Sequence, residues 1–214
     1  MANTGNSNSA AERAYQVTRE RIIDGTLQPG TMLSESALAA DIGVSRTPVR
    51  VALARLQDEG WIIVYPKRGA LVQGVSERTV AELADARFLL ETTAVEVASE
   101  ELRQRLASRL DRSIEKQREA LARRDIRSFI DLTLTFHRGF VEAGENTVLL
   151  ELYAQLADRH RFVLFATGDH LFSRAADIIA EHETLIGQLR SGNAAGFAKT
   201  LRGHIAENAP PETL

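Results

Sequence analysis

The placing of helix breakers in the first 75 residues constrains this chain most. Gly25, Pro29-Gly30, Gly43 and Gly60 cut that stretch into short pieces, each with apolar residues at helical spacing. The pieces predict a helix from about Ala10 to Asp24, a short one from Glu35 to Asp41 and a third from Arg46 to about Glu59. Ser34 and Ser45 stand at the N-cap positions of the second and third, and Pro48 is tolerated in a first turn. Residues 1–9, rich in Asn, Ser and Ala, read as a disordered tail. After Gly60 the character changes. Trp61–Pro66 is β-rich, Lys67-Arg68-Gly69 is a tight turn, and Ala70–Gly74 returns as a second strand.

From Ser76 onward no further strand signal occurs. Helices are expected at about 77–101, 103–123, 126–143, 147–166, 173–190 and 194–207, and Pro210-Pro211 closes the last. The expected architecture is mainly α. A winged helix-turn-helix of three helices and a β-hairpin occupies residues 10–75, and an all-α six-helix bundle occupies 76–208.

Composition narrows the function. The chain has 214 residues and is 44% hydrophobic, enough for a real core. No apolar run reaches the ~18 residues that cross a bilayer, and the polar N-terminus is no secretory signal, so a cytoplasmic location is expected. The absence of cysteine excludes disulfides, thiolate zinc sites and cysteine nucleophiles. The net charge of −3 does not by itself point to nucleic acid, so any DNA argument rests on where the charges sit.

In the third helix Val49, Ala52, Leu53 and Leu56 form the inward face. Arg46, Thr47 and Arg50 lie on the opposite, N-terminal side, where arginines reach guanine edges or phosphates in a major groove. The basic hairpin tip, Lys67, Arg68 and Gly69, suits the sugar–phosphate rail or the minor groove. A pair of arginines alone is usually an ordinary solvated face. Here the break at Gly43, the serine cap, the arginines, the Gly60 stop and the basic hairpin occur in register.

These residues resemble a known family. The run from Leu27 to Val72 is similar to the DNA-binding domain of GntR-family bacterial transcriptional regulators, over about residues 12–74. The resemblance implies DNA contacts from Arg46, Thr47 and Arg50, with Ser45 beside them and Gly69 at the wing tip, and a role for Glu35 in orienting an arginine. Ser36 stands where some members carry a contacting arginine, so that contact is expected to be lost. Val51 replaces a frequent glutamate, with little consequence expected.

The second half carries five histidines. His137, His182 and His204 each fall on the apolar stripe of a different helix, an arrangement that suits a divalent metal inside a bundle. A single histidine on such a stripe is more often a satisfied core residue, and His160 sits on one too. Residues 79–207 resemble the FCD effector domain of the FadR-type GntR subgroup, through Arg87–Glu91, Phe136–Asn146, Glu181–Asn193 and Arg202–His204. That resemblance implies a divalent metal, Zn²⁺ or Ni²⁺, on the three histidines and one aspartate. Thr133 stands at the aspartate position, four residues before His137, and Asp131 lies about 240° away around the helix.

The expectation is therefore a ligand-responsive regulator, a repressor acting as a homodimer on an inverted-repeat DNA operator. A small organic acid is expected in the helical domain, with Arg87, Thr133 and Asn146 as candidate effector residues. For Arg87 an i,i+4 salt bridge to Glu91 is the competing reading, and for Asn146 a helix cap. Two rivals stay open. One is a metal-dependent hydrolase with an appended DNA module, against which the chain has no H-E-x-x-H motif, phosphate loop or nucleophile elbow. The other is a metal-free sensor whose histidines bind the effector carboxylate directly.

Overall fold

The computed structural model describes residues 4–207 and divides into two compact units between Val75 and Ser76. In the first, α1 (Thr4–Ile23) packs on α3 (Arg46–Asp58), with α2 (Glu35–Ile42) between them in sequence. The helix of α1 starts at Thr4, inside the stretch expected to be a tail. No proline interrupts it, and Asn and Ser lower helix propensity only modestly. Ser34 caps α2 by accepting from the Ala37 amide, and Gly43 ends it at φ 73°. Ile22, Leu56 and Ile62 are fully buried at the centre of this unit. Glu59, just past α3, accepts from the Tyr15 hydroxyl at 2.8 Å and from the Trp61 indole at 3.2 Å, tying α3 to α1.

Ser45 occupies the N-cap position of α3, but its side chain makes no capping bond. The reason is local. An N-cap oxygen normally takes the amide of the second or third helical residue; the third here is Pro48, which removes one of those two donors.

The hairpin is present as β2 (Ile62–Tyr65) and β3 (Gly69–Val72), antiparallel with Tyr65 opposite Gly69. A third strand, β1 (Met32–Leu33), joins the free edge of β3, with Leu33 opposite Ala70. Two residues are too few to show strand periodicity, which is why the sequence does not reveal it. β1 explains Gly69. Its φ is 114°, and a Cβ there lies 2.3 Å from the Leu33 carbonyl oxygen, so only glycine fits the sheet crossing.

The second unit contains α4 (Glu77–Val97), α5 (Glu100–Ala122), α6 (Ile126–Glu142), α7 (Thr147–Ala166), α8 (Gly168–Ser173), α9 (Ala175–Ser191) and α10 (Ala194–Glu207). It has seven helices among the described residues rather than six. The short α8 occupies what reads as a break at Thr167-Gly168-Asp169. α4 stops at Val97, four residues early, because Ser99 turns to extended backbone and caps α5 through the Leu102 amide. Helix α6 is central, packing against α4, α5 and α7, while α9 packs on α5 and α10. Phe129, Phe136, Phe140, Phe197, Leu185 and Leu189 fill the core between them. No helix among the described residues is long and apolar enough to cross a membrane.

Candidate metal centre and nucleic-acid interface

The core of the second unit brings His137 from α6, His182 from α9 and His204 from α10 to one point. All three rings are buried. His137 Nε2 lies 3.2 Å from His182 Nε2 and 3.1 Å from His204 Nε2. The opposite nitrogen of each ring meets an oxygen. His137 Nδ1 is 2.8 Å from Glu91 Oε2, His182 Nδ1 is 2.8 Å from Gln117 Oε1, and His204 Nδ1 is 2.6 Å from Glu181 Oε2.

This pattern fixes the protons. Ionised carboxylates and an amide carbonyl only accept, so each Nδ1 carries its ring's hydrogen and donates it outward. Three Nε2 lone pairs then face one another in the buried core, an arrangement that favours a cation between them. An oxygen acceptor behind each imidazole is what a metal site uses to orient its ligands. Burial holds His137 and His182 well below the ordinary histidine range, and it also lowers His204, where the Glu181 carboxylate opposes it. All three are therefore neutral, the ligating form. The Phe136 ring stacks on His182 with centroids 4.0 Å apart and an interplanar angle of 19°, excluding water from that side.

The oxygen acceptors are themselves held. Glu91 is fully buried and accepts from Arg87 Nε at 2.6 Å. Burial raises the Glu91 carboxyl and the Arg87 charge opposes it. Glu181 is raised by burial, but His204 and Arg174 more than offset this and leave it below the usual range. Arg174 bonds Glu181 at 2.9 Å and Glu207 at 2.7 Å.

Thr133 lies one helical turn before His137 and is buried, and its hydroxyl has no partner. Arg87 makes the i,i+4 bridge to Glu91, places Nη1 3.1 Å from His160 Nε2, and leaves Nη2 buried without a partner. His160 therefore partners Arg87 and does not join the three histidines, although it too falls on an inward stripe, that of α7. Asp131 pairs with Arg161 at 2.8 Å, away from the triad's face as its helical angle requires. Asn146 is exposed, and its side-chain oxygen accepts from the Val148 and Leu149 amides at 3.0 and 3.2 Å. The competing reading of Asn146 as a helix cap is the one seen, with its side-chain oxygen taken up at the start of α7. Gln117 and Glu91 are the residues sequence reasoning missed as partners of the triad. The signal for Gln117 is a polar residue on the apolar stripe of α5 beside Ile114 and Ala120.

In the first unit, Glu35 Oε2 accepts from Arg50 Nε at 2.8 Å and Arg46 Nη2 at 3.1 Å. Arg50, followed by Arg46, holds the Glu35 carboxyl below its usual range. Both arginine side chains remain 60% exposed, so the pairing positions them without burying them. Thr47, Ser45 and Ser36 are exposed nearby, and Ser36 Oγ lies 2.9 Å from Ser34 Oγ. A groove of about 500 Å³ runs between the α2–α3 corner and the hairpin, lined by Glu35, Ser36, Arg46, Arg50, Lys67 and Arg68 among others. Lys67 sits at the tip with φ 64°.

The model of the GntR family of bacterial regulatory proteins matches residues 10–72, and that of the FCD domain matches residues 82–207. The chain belongs to the GntR family. It is 30% identical over 192 residues to the gluconate operon transcriptional repressor of Bacillus subtilis, covering 88% of this chain and 78% of that one. It is 25% identical over 199 residues to the repressor RspR of Escherichia coli, covering 92% and 86%. The solved structure of E. coli McbR/YncC superposes with a TM-score of 0.70 at 24% identity, covering 97% of this chain and 96% of that one, and shows a shared fold. The GntR-family chain is thus a DNA-binding transcriptional regulator with an FCD domain and not an enzyme. The hydrolase alternative falls with that.

Proposed function

We propose that this regulator is a repressor that binds an inverted-repeat operator as a homodimer and is controlled by a small organic acid in its helical unit. The observation that carries the control is the convergence of three Nε2 lone pairs, each ring backed by its own oxygen acceptor. His137, His182 and His204 would hold a divalent metal, Zn²⁺ or Ni²⁺, through Nε2. Such an ion would supply a positive centre able to attract a carboxylate. Arg87 Nη2 and the Thr133 hydroxyl, both buried without partners, are the donors offered to that acid. A polar ligand would relieve the cost of burying them without partners.

On the DNA side, α3 enters the major groove with Arg46, Thr47 and Arg50 at its N-terminal turns. Its uncapped N-terminus, beside Ser45, adds backbone amides for a phosphate. Ser36 lies next to this corner, and Lys67, Arg68 and Gly69 carry the wing to the adjacent backbone. Self-association is supported by Leu89 and Val97 on α4 and Val148 and Leu152 on α7, exposed apolar side chains on two helices that pack together. Function of this kind belongs in the cytoplasm, where operator DNA lies. Acid binding in one unit changes operator affinity in the other by linkage.

The test is operator binding by the full-length protein, titrated with small carboxylates after loading with Zn²⁺ or Ni²⁺ and after chelation. The expected result is an acid that changes affinity only in the metal-loaded protein. An acid that acts equally on both forms would support the metal-free sensor, in which the histidines bind the carboxylate directly.

A further inference from the structure

Val51 lies in the second turn of α3 and is 57% exposed. No folding requirement places it there. The inward face of α3 is already complete with Pro48, Val49, Ala52, Leu53 and Leu56. A β-branched residue on an exposed helical surface loses side-chain freedom and gains no packing, so local propensity disfavours valine.

The outward surface of α3 has two edges. At about 100° per residue, Arg46, Arg50 and Gln57 fall along one edge, which is the one that Glu35 approaches. Thr47, Val51 and Ala54 fall along the other, about 90° further round, all exposed and uncharged, and Asp58 joins that edge only at the last residue of the helix, two turns beyond Val51. The edges make different chemical offers to a major groove. Guanidinium groups pair with guanine acceptors, whereas the Val51 side chain matches the one apolar group that the groove displays, the 5-methyl of thymine.

We infer that Val51 is a specificity-determining residue that reads a thymine methyl group in each operator half-site, beside the base read by the arginine edge. This rests on α3 being the helix that enters the major groove.

The experiment uses full-length protein and a duplex selected by it from random-sequence DNA. Each thymine of the selected site is replaced in turn by deoxyuridine, which removes only the methyl. Wild type, Val51→Ala and Arg50→Ala are compared. Val51 is exposed, and circular dichroism and thermal unfolding confirm that the variants are folded. One thymine in each half-site is expected where the replacement weakens wild-type binding about fourfold, the worth of one buried methyl. Val51→Ala is expected to bind the thymine and uridine duplexes equally. A selected site with no fixed thymine, no uridine-sensitive position in wild type, or sensitivity that persists in Val51→Ala each overturns the inference. If Arg50→Ala weakens binding while uridine does nothing, Val51 alone is misassigned. If Arg50→Ala also binds as wild type, α3 is not the reading helix and both fail.

Discussion

Replacing Gln117 by Leu separates a metal centre from a cluster of core histidines. Gln117 is fully buried on α5, its carbonyl oxygen 2.8 Å from His182 Nδ1 and its amide 3.4 Å from Ser113 Oγ. Leucine keeps most of the volume and removes the acceptor. The His182 Nδ1–H is then buried without a partner, which costs the metal-free fold about 1–3 kcal/mol. The ring also loses the bond that holds Nε2 toward the other two histidines. Removing such a partner typically weakens metal binding ~10–100-fold, or about 1.4–2.8 kcal/mol. Zn²⁺ affinity measured against a chromophoric chelator reads the second effect, and thermal unfolding with and without metal reads the first. The expected result is a smaller metal-induced rise in melting temperature in Gln117→Leu than in wild type. A variant whose Zn²⁺ affinity stays within about twofold of wild type would refute the reasoning, because the acceptor would then be doing nothing for the ligand.

Three further predictions concern other parts of the molecule. Gly69→Ala forces a Cβ to within 2.3 Å of the Leu33 carbonyl at φ 114°, so it is expected to destabilise the first unit by about 2 kcal/mol or more in urea unfolding; a loss below about 0.5 kcal/mol contradicts the close approach. Lys67→Ala at the wing tip is expected to weaken all duplexes alike and to lower the salt dependence by about one unit, while Arg50→Ala costs about 1–3 kcal/mol and relaxes selectivity, as binding isotherms at several salt concentrations show. His160 is pushed down to about 3 by burial and by the Arg87 guanidinium, from an ordinary 6.5. Between those values the unfolded chain binds the extra proton, so stability is full above pH 6.5 and falls as pH drops, by about 1.4 kcal/mol per unit from this group. His160→Asn is expected to flatten that slope by the same amount, and identical slopes would contradict it.

Much of this was legible because each signal is local and carries a periodicity. The two short helices, the hairpin and the stripes bearing His137, His182 and His204 follow from breakers and helical spacing. What was illegible depended on contacts across the fold. β1 is two residues long and exists only through its pairing with β3. Ser99 caps α5 inside a stretch whose Ala and Glu content reads as continuous helix, and α8 fills a turn signal with a single extra helical turn and a half. Ser45 sits at a cap position and makes no capping bond, with Pro48 removing one of the two usual amide donors. Gly69 draws attention as a wing-tip residue, and the close approach of the Leu33 carbonyl, which requires glycine there, is visible only in the sheet. The oxygens of Gln117 and Glu91 are nowhere near the histidines in sequence, so only the packing of α5 and α4 on α6 and α9 reveals the partners that set their protons. Asn146 was legible as a cap, since it stands just before a helical stretch, and it caps α7.

The most direct test of the account is the metal content of the purified full-length protein by elemental mass spectrometry, with His182→Ala beside it. The account predicts about one equivalent of a divalent metal per chain in wild type and little in the variant. No metal in wild type, even after incubation with Zn²⁺ or Ni²⁺, would contradict it and leave three buried imidazoles whose facing lone pairs need another partner.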